Sequence, residues 1–239
     1  MENDVILTPS DALIIGDVQV DFLPGGALPI QDREQIIPIL NDYINMFRKG
    51  NRIYAIRDWH PANHASFKEQ GGPWPPHCIQ ESEGARFHPD LNLPIDAEIV
   101  SKGTNPTKEN YSGFDGTDLS SRLRTSGISR IFVGGVATDY CVKHTVLDAL
   151  AQSLKVILLV DATKGINLQP KDSELAVERM IYSGAKIATL QDFPEPPIII
   201  PAEEPIAEGL EEKPLEKAYK KRKARLRSRG PYRKARVER

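Results

Sequence analysis

Residues 133–145 read VGGVATDYCVKHT, and the fold is decided by what lies on either side of them. Ile128 to Val133 is an apolar, β-branched run, the pattern of a buried strand. Downstream, Val142, Val146, Ala149 and Leu150 recur at helical spacing across about 139–152. Cys141 therefore falls just past the C-terminal end of a strand, in the first turn of a helix. Unpaired amides and a partial positive charge at that end lower a thiol's pKa and favour the thiolate. A free cysteine is as often a small buried hydrophobe, so the companions of Cys141 have to decide its role.

Working outward, the same strand-then-helix alternation fills residues 12–190. Strands are expected at 12–16, 52–57, 97–101, 128–133, 155–160 and 185–190, with helices at 33–49, 117–125, 139–152 and 170–183. Pro38 lies near enough the start of its helix to be tolerated or to kink the first turns. Six strands alternating with helices predict an α/β fold: a doubly wound, mostly parallel six-stranded sheet flanked by helices. In such sheets ligands bind beyond the carboxyl ends of the strands. Asp17, Lys102 and Cys141 all stand at such ends. Taken singly, an acid there more often caps a loop, and a lysine is more often a solvated charge. Gly25-Gly26 and Gly134-Gly135 lack the spacing of a dinucleotide fingerprint, so a nucleotide-binding reading is weak.

A second cluster follows the second strand. In DWHPANHASF (58–67), Asp58 and His60 are one residue apart and project to the same side of an extended segment. His64 follows, and His77 stands in GGPWPPHC. One carboxylate with imidazoles suits a divalent transition ion such as zinc, iron or manganese.

The chain of 239 residues is 40% hydrophobic and 27% charged, the balance of a soluble globular protein. Its two cysteines, Cys78 and Cys141, make no disulfide framework and fit a reducing compartment, hence a cytoplasmic location. The acidic start MENDVILTPSD is not a signal peptide, and no apolar run approaches the about 20 residues of a membrane helix. The net charge of −2 hides two materials. From Glu195 onward there are 13 Lys+Arg against 8 Asp+Glu, a balance of +5 that leaves −7 for residues 1–194. The expected division is therefore a globular domain at 1–194 and a segment at 195–239, a Pro-rich, acidic linker followed by a basic arm. Residues 217–239 carry 12 Lys+Arg and a single Glu238. Such an arm can touch nucleic acid or an acidic partner. With only Tyr219 and Tyr232 interleaved, a disordered extension without a specific ligand is the better reading.

Six pieces occur in order: DVQVDF (17–22), DWHPANHASF (58–67), GGPWPPHCIQESEGARFHPDL (71–91), SKG (101–103), YSGFDGTDL (111–119) and GGVATDYCVKHTVLDA (134–149). On these the chain resembles the nicotinamidases and pyrazinamidases among the isochorismatase-like cysteine hydrolases, over about Asp11 to Phe193. Val20 departs from the asparagine more usual in the first piece, and Gly103 varies in the family. The resemblance implies Cys141 as nucleophile, Asp17 as general base and acid, and Lys102 as third member of the triad. It implies Asp58, His60 and His77 as ligands of a divalent metal, zinc first, with iron or manganese as alternatives. His64 aligns with a residue that ligates the metal in some members and supports the site from outside in others. Phe22, Trp74 and Tyr111 would wall a pyridine pocket. Val136 and Ala137, joined by a cis peptide, would border it and aim the amides of Ala137 and Cys141 into an oxyanion hole.

The implied activity is hydrolysis of nicotinamide to nicotinate and ammonia through a cysteine thioester, in NAD salvage. A related amidohydrolase acting on another small amide is the near alternative. The Asp58/His60/His77 set weighs against it, since relatives acting on non-aromatic substrates lack a ring-anchoring metal. A vinyl-ether hydrolase would not need Cys141. A catalytically dead, nucleic-acid-binding protein that works through the arm is disfavoured by the intact triad. A homo-oligomer is compatible with all of these readings.

Overall fold

The computed structural model describes residues 5–30 and 33–194. The linker and basic arm expected over 195–239 lie outside the described residues. Six strands are present: β1 (Asp11–Gly16), β2 (Arg52–Asp58), β3 (Glu98–Lys102), β4 (Arg130–Val136), β5 (Lys155–Lys164) and β6 (Lys186–Ala188). They form one sheet in the order β3-β2-β1-β4-β5-β6, with every neighbouring pair parallel. The order reverses between β1 and β4, which opens a crevice at their carboxyl ends.

The strands alternate between two cores. Leu13 and Ile15 of β1 join Phe132 and Leu159 beneath α1 (Ile37–Phe47). Ala12 and Ile14 face the other way with Ile131 and Leu158. That second core is covered by α2 (Leu119–Thr125), α3 (Lys143–Ala151) and α4 (Asp172–Tyr182). On the first face Phe47 packs edge-on to Phe132, ring centroids 5.1 Å apart. Each such aromatic pair adds about 0.5–1.5 kcal/mol beyond burial.

Differences from the sequence expectations have local causes. The first helix is preceded by a 3-10 turn at Arg33–Ile36, which leaves Pro38 in the first α turn, where its missing N–H costs nothing. β4 runs three residues past Val133, because Gly134 and Gly135 let it lie against β1. Gly135 has φ +117, and a Cβ there would stand 2.1 Å from the Gly16 carbonyl oxygen. β5 extends to Lys164 through a register shift against β4. Inside that shift the Asp161 carboxylate accepts the Tyr43 hydroxyl and the Leu190 amide, each at 2.9 Å, so its role is structural. The helix expected from Asp139 instead opens as a π turn, Thr138–Val142, before α3 begins.

Candidate active site

Four strand ends deliver the chemistry. Asp17 follows β1 in a left-handed conformation, φ +50. Asp58 and Lys102 are the last residues of β2 and β3 and face each other in register. Cys141 sits on the π turn after β4, a distortion that recurs at functional sites. The peptide between Val136 and Ala137 that leads into the turn is cis.

Far from being solvated, Lys102 is 1% exposed. Its ammonium binds Asp58 Oδ1 and reaches Asp17 Oδ2 and Cys141 Sγ at 3.4 Å each. Asp17, also 1% exposed, caps nothing with its side chain: neither carboxylate oxygen meets a well-aligned hydrogen-bond partner. One of those oxygens, a carboxylate oxygen of Asp58 and Cys141 Sγ all lie within 4.8 Å of one another.

The charges sort themselves by surroundings. Burial pushes the Asp17 carboxyl up to about 7, with Lys102 opposing and Asp58 reinforcing the rise. Burial would also raise Asp58, but Lys102 and His60 hold it well below the usual carboxylate range. Burial alone would lower Lys102; Asp17 and Asp58 outweigh it and keep the ammonium charged. The Cys141 thiol is pushed up, first by burial and then by the two acids, against the pull of Lys102. This corrects the sequence expectation of a thiolate favoured by the helix end. Cys141 is 8% exposed, and its desolvation outweighs the local positive potential. The arrangement holds a protonated thiol beside a carboxylate poised to take its proton.

Asp58, His60 and His77 offer one donor atom each, all within 4.8 Å of one another. His60 Nδ1 pairs with the Gly103 carbonyl at 2.9 Å and His77 Nδ1 with the Pro75 carbonyl at 2.8 Å. Both rings thus present Nε2 as the basic nitrogen, the orientation a metal ligand needs. The three donors fit a divalent ion with an open position. His64 lies against His60, ring centroids 4.1 Å apart, but its own nitrogens pair with Ser66 Oγ (2.7 Å) and the Lys108 carbonyl (3.2 Å).

Above Cys141 opens a cleft that is continuous with solvent at its mouth. Phe22, Trp74, Tyr111 and Ala137 line it beside Asp58, His60 and His77. Trp74 Nε1–H donates to the Tyr111 hydroxyl at 3.1 Å, which fixes two of the walls. Val136 is fully buried in the core and does not border the cleft. Sequence reasoning overlooked Leu28, Glu109, Tyr140 and Ile166, which also line it. Only Tyr140 carried a signal, its position next to Cys141. Gln19 was overlooked too. Its amide donates to the carbonyls of Asp58 (2.7 Å) and Ala85 (2.9 Å) and accepts the Asp58 N–H at 2.8 Å, tying the loop after β1 to the end of β2.

Residues 11–192 match the isochorismatase domain. The nicotinamidase of Escherichia coli (strain K12) is 40% identical over 209 residues, covering 78% of this chain and 98% of that protein. The crystal structure of the pyrazinamidase of Pyrococcus horikoshii in complex with zinc is 54% identical with a TM-score of 0.73, covering 76% of this chain and 100% of that one. PnC1 from L. infantum in complex with nicotinate is 35% identical with a TM-score of 0.74, covering 80% of this chain and 98% of that one. The matched span holds all six strands and the whole buried cluster at their ends, and the chain belongs to the isochorismatase domain family.

Proposed function

We propose that this protein hydrolyses nicotinamide to nicotinate and ammonia in NAD salvage. The observation that carries the reading is the convergence of Cys141, Asp17 and Lys102 beneath an aromatic cleft, with three metal-type donors on its flank.

Cys141 Sγ attacks the carboxamide carbon as its proton passes to Asp17. The oxyanion is held by the backbone amides of Ala137 and Cys141; one such donor contributes about 3–4 kcal/mol. Asp17 gives the proton to the departing ammonia, leaving a thioester on Cys141. Asp17 then takes a proton from water as it attacks the thioester and returns it to Cys141 Sγ as the C–S bond breaks, and nicotinate leaves. Lys102 stays charged throughout and balances the negative charge that moves between Asp17 and sulfur. Asp58, His60 and His77 would hold the divalent ion, with zinc the first candidate. When bound, such an ion supplies a Lewis-acid anchor for the ring nitrogen. His64, with both nitrogens engaged, supports His60 from behind. Phe22, Trp74, Tyr111 and Ala137 receive the ring. Two cysteines, both unpaired, support a cytoplasmic location, and among the described residues no helix is long and apolar enough to cross a membrane.

The test is ammonia release from nicotinamide by the purified protein. Activity is expected to vanish in Cys141→Ala, to fall on chelation and to return with zinc. A metal-loaded protein inert toward nicotinamide and pyrazinamide would sink the reading.

A further inference from the structure

Asp139 lies two residues before Cys141 on the π turn and takes no part in the chemistry above. It is 4% exposed, and its carboxylate accepts two backbone amides: Ile166 N–H at 2.9 Å and Asn167 N–H at 2.7 Å. Those amides belong to the segment that follows β5, and the Ile166 side chain from that segment walls the cleft holding Cys141. A second tie, Thr138 Oγ1 to Thr163 Oγ1 at 2.7 Å, joins the π turn to the end of β5 just before that segment. The segment is pressed down without slack: a Cβ on Gly165 would stand 1.9 Å from Ser173 Oγ and 2.8 Å from Asp139 Oδ1. Beyond it, the Asn167 side-chain oxygen accepts the Ser173 N–H of α4 at 2.9 Å, which closes a circuit from nucleophile turn to wall to helix.

We propose that Asp139 is a positioning residue that fixes the distance between Ile166 and Cys141. It thereby sets the clearance of the ring slot and restricts the enzyme to flat, unsubstituted aromatic amides. The inference rests on the nicotinamide reading above. Charge-assisted bonds from two amides to one buried carboxylate are roughly twice as strong as neutral ones. Asparagine at 139 retains one acceptor but turns its NH2 group against the other amide, so one of the two bonds is lost. The wall then moves while Cys141, Asp17 and Lys102 keep their places.

The experiment compares steady-state kinetics of the parent protein, Asp139→Asn, Ile166→Ala and the double variant on nicotinamide and 5-methylnicotinamide. In Asp139→Asn the loss should fall in KM rather than kcat, with KM for nicotinamide rising about tenfold. The preference for nicotinamide over the methylated ring should shrink. Ile166→Ala should reproduce both effects, and the double variant should be little worse than Ile166→Ala, because the two residues act through one wall. A collapse of kcat at unchanged KM in Asp139→Asn, or fully additive effects, would overturn the assignment. So would an Ile166→Ala protein with unaltered KM and ring preference, a result that stands even if Asp139→Asn fails to fold. A parent protein inert toward nicotinamide would instead bring down the underlying reading, and this inference with it.

Discussion

Asp17 and Lys102 are both fully desolvated, yet one is held near neutrality and the other fully charged. The difference is partnership: Lys102 meets two acids, whereas neither oxygen of Asp17 finds an aligned donor. With its carboxyl pushed up to about 7, Asp17 is a proton acceptor whose basic form is lost as the medium turns acidic. The acidic limb of kcat/KM should therefore turn near pH 7 rather than near 4. Asp17→Asn should lower kcat by about 10²–10⁴-fold at every pH. Stability carries the opposite sign. A folded-state pKa raised above 3.8 means that folding favours the protonated acid. The stability this gives is complete below pH 3.8 and is lost as the pH rises through about 7. Asp17→Asn, neutral at all pH, should thus melt higher than the parent at pH 8, by roughly 5 °C, with the gap closing toward pH 4. A constant gap in calorimetry would show that Asp17 is not the titrating group. Gly103 is a second single-residue case. Its φ is +63 and a Cβ there would stand 2.3 Å from His60 Cε1, while its carbonyl orients that ring. Gly103→Ala should weaken zinc binding about 10–100-fold in a competition titration, since it displaces a ligand's orienting partner.

At the scale of elements, the loops carrying the site are held by a few long-range ties. Gln19 makes three buried hydrogen bonds to backbone 39 and 66 positions away. Gln19→Ala removes a partner from the Asp58 N–H and from two carbonyls, and should cost about 3 kcal/mol in denaturant unfolding with the m-value unchanged. The elements themselves were legible, because apolar periodicity reports which face is buried. Ile36, Ile37, Leu40, Ile44 and Phe47 announced the helix on one face of the sheet, and all five are buried there. The end of β4 was not legible, because Gly134 and Gly135 have no side chains with which to show an alternation; what extends the strand is space against Gly16. The π turn escaped for a related reason, since Val142 and Val146 keep helical spacing whether one extra residue is wound in or not. The site divides the same way. Asp58 and His60 could be read as a pair from local geometry, whereas Glu109 and Ile166 come to the cleft, and Gln19 to the backbone of Asp58, only through tertiary packing. The sequence also misjudged the thiol, because burial, which dominates its proton affinity, is a property of the folded surroundings.

For the whole molecule the telling fact is where the chemistry stops. The residues argued to bind and react run from Asp17 to Cys141, with Ile166 the last wall of the cleft. The two hydrophobic cores close with Phe193 on one face and Ala185 on the other. The Pyrococcus horikoshii pyrazinamidase is matched over its full length by 76% of this chain. Residues 195–239 lie beyond the span 11–192 that matches the isochorismatase domain. That remaining segment carries +5 while residues 1–194 carry −7, so its removal changes the charge far more than the core. Truncation after Pro194 should leave kcat/KM for nicotinamide within about twofold and the melting temperature within about 2 °C, because both cores and the cleft are built from residues up to Phe193. It should also abolish retention on a phosphate-bearing cation exchanger at low salt, where 12 Lys+Arg between 217 and 239 give the full chain a local positive field despite its net −2. A truncated protein that loses activity at unchanged melting temperature would place part of the segment at the cleft. One that melts many degrees lower would make the segment part of the folded domain, and the division at 194 would have to be redrawn.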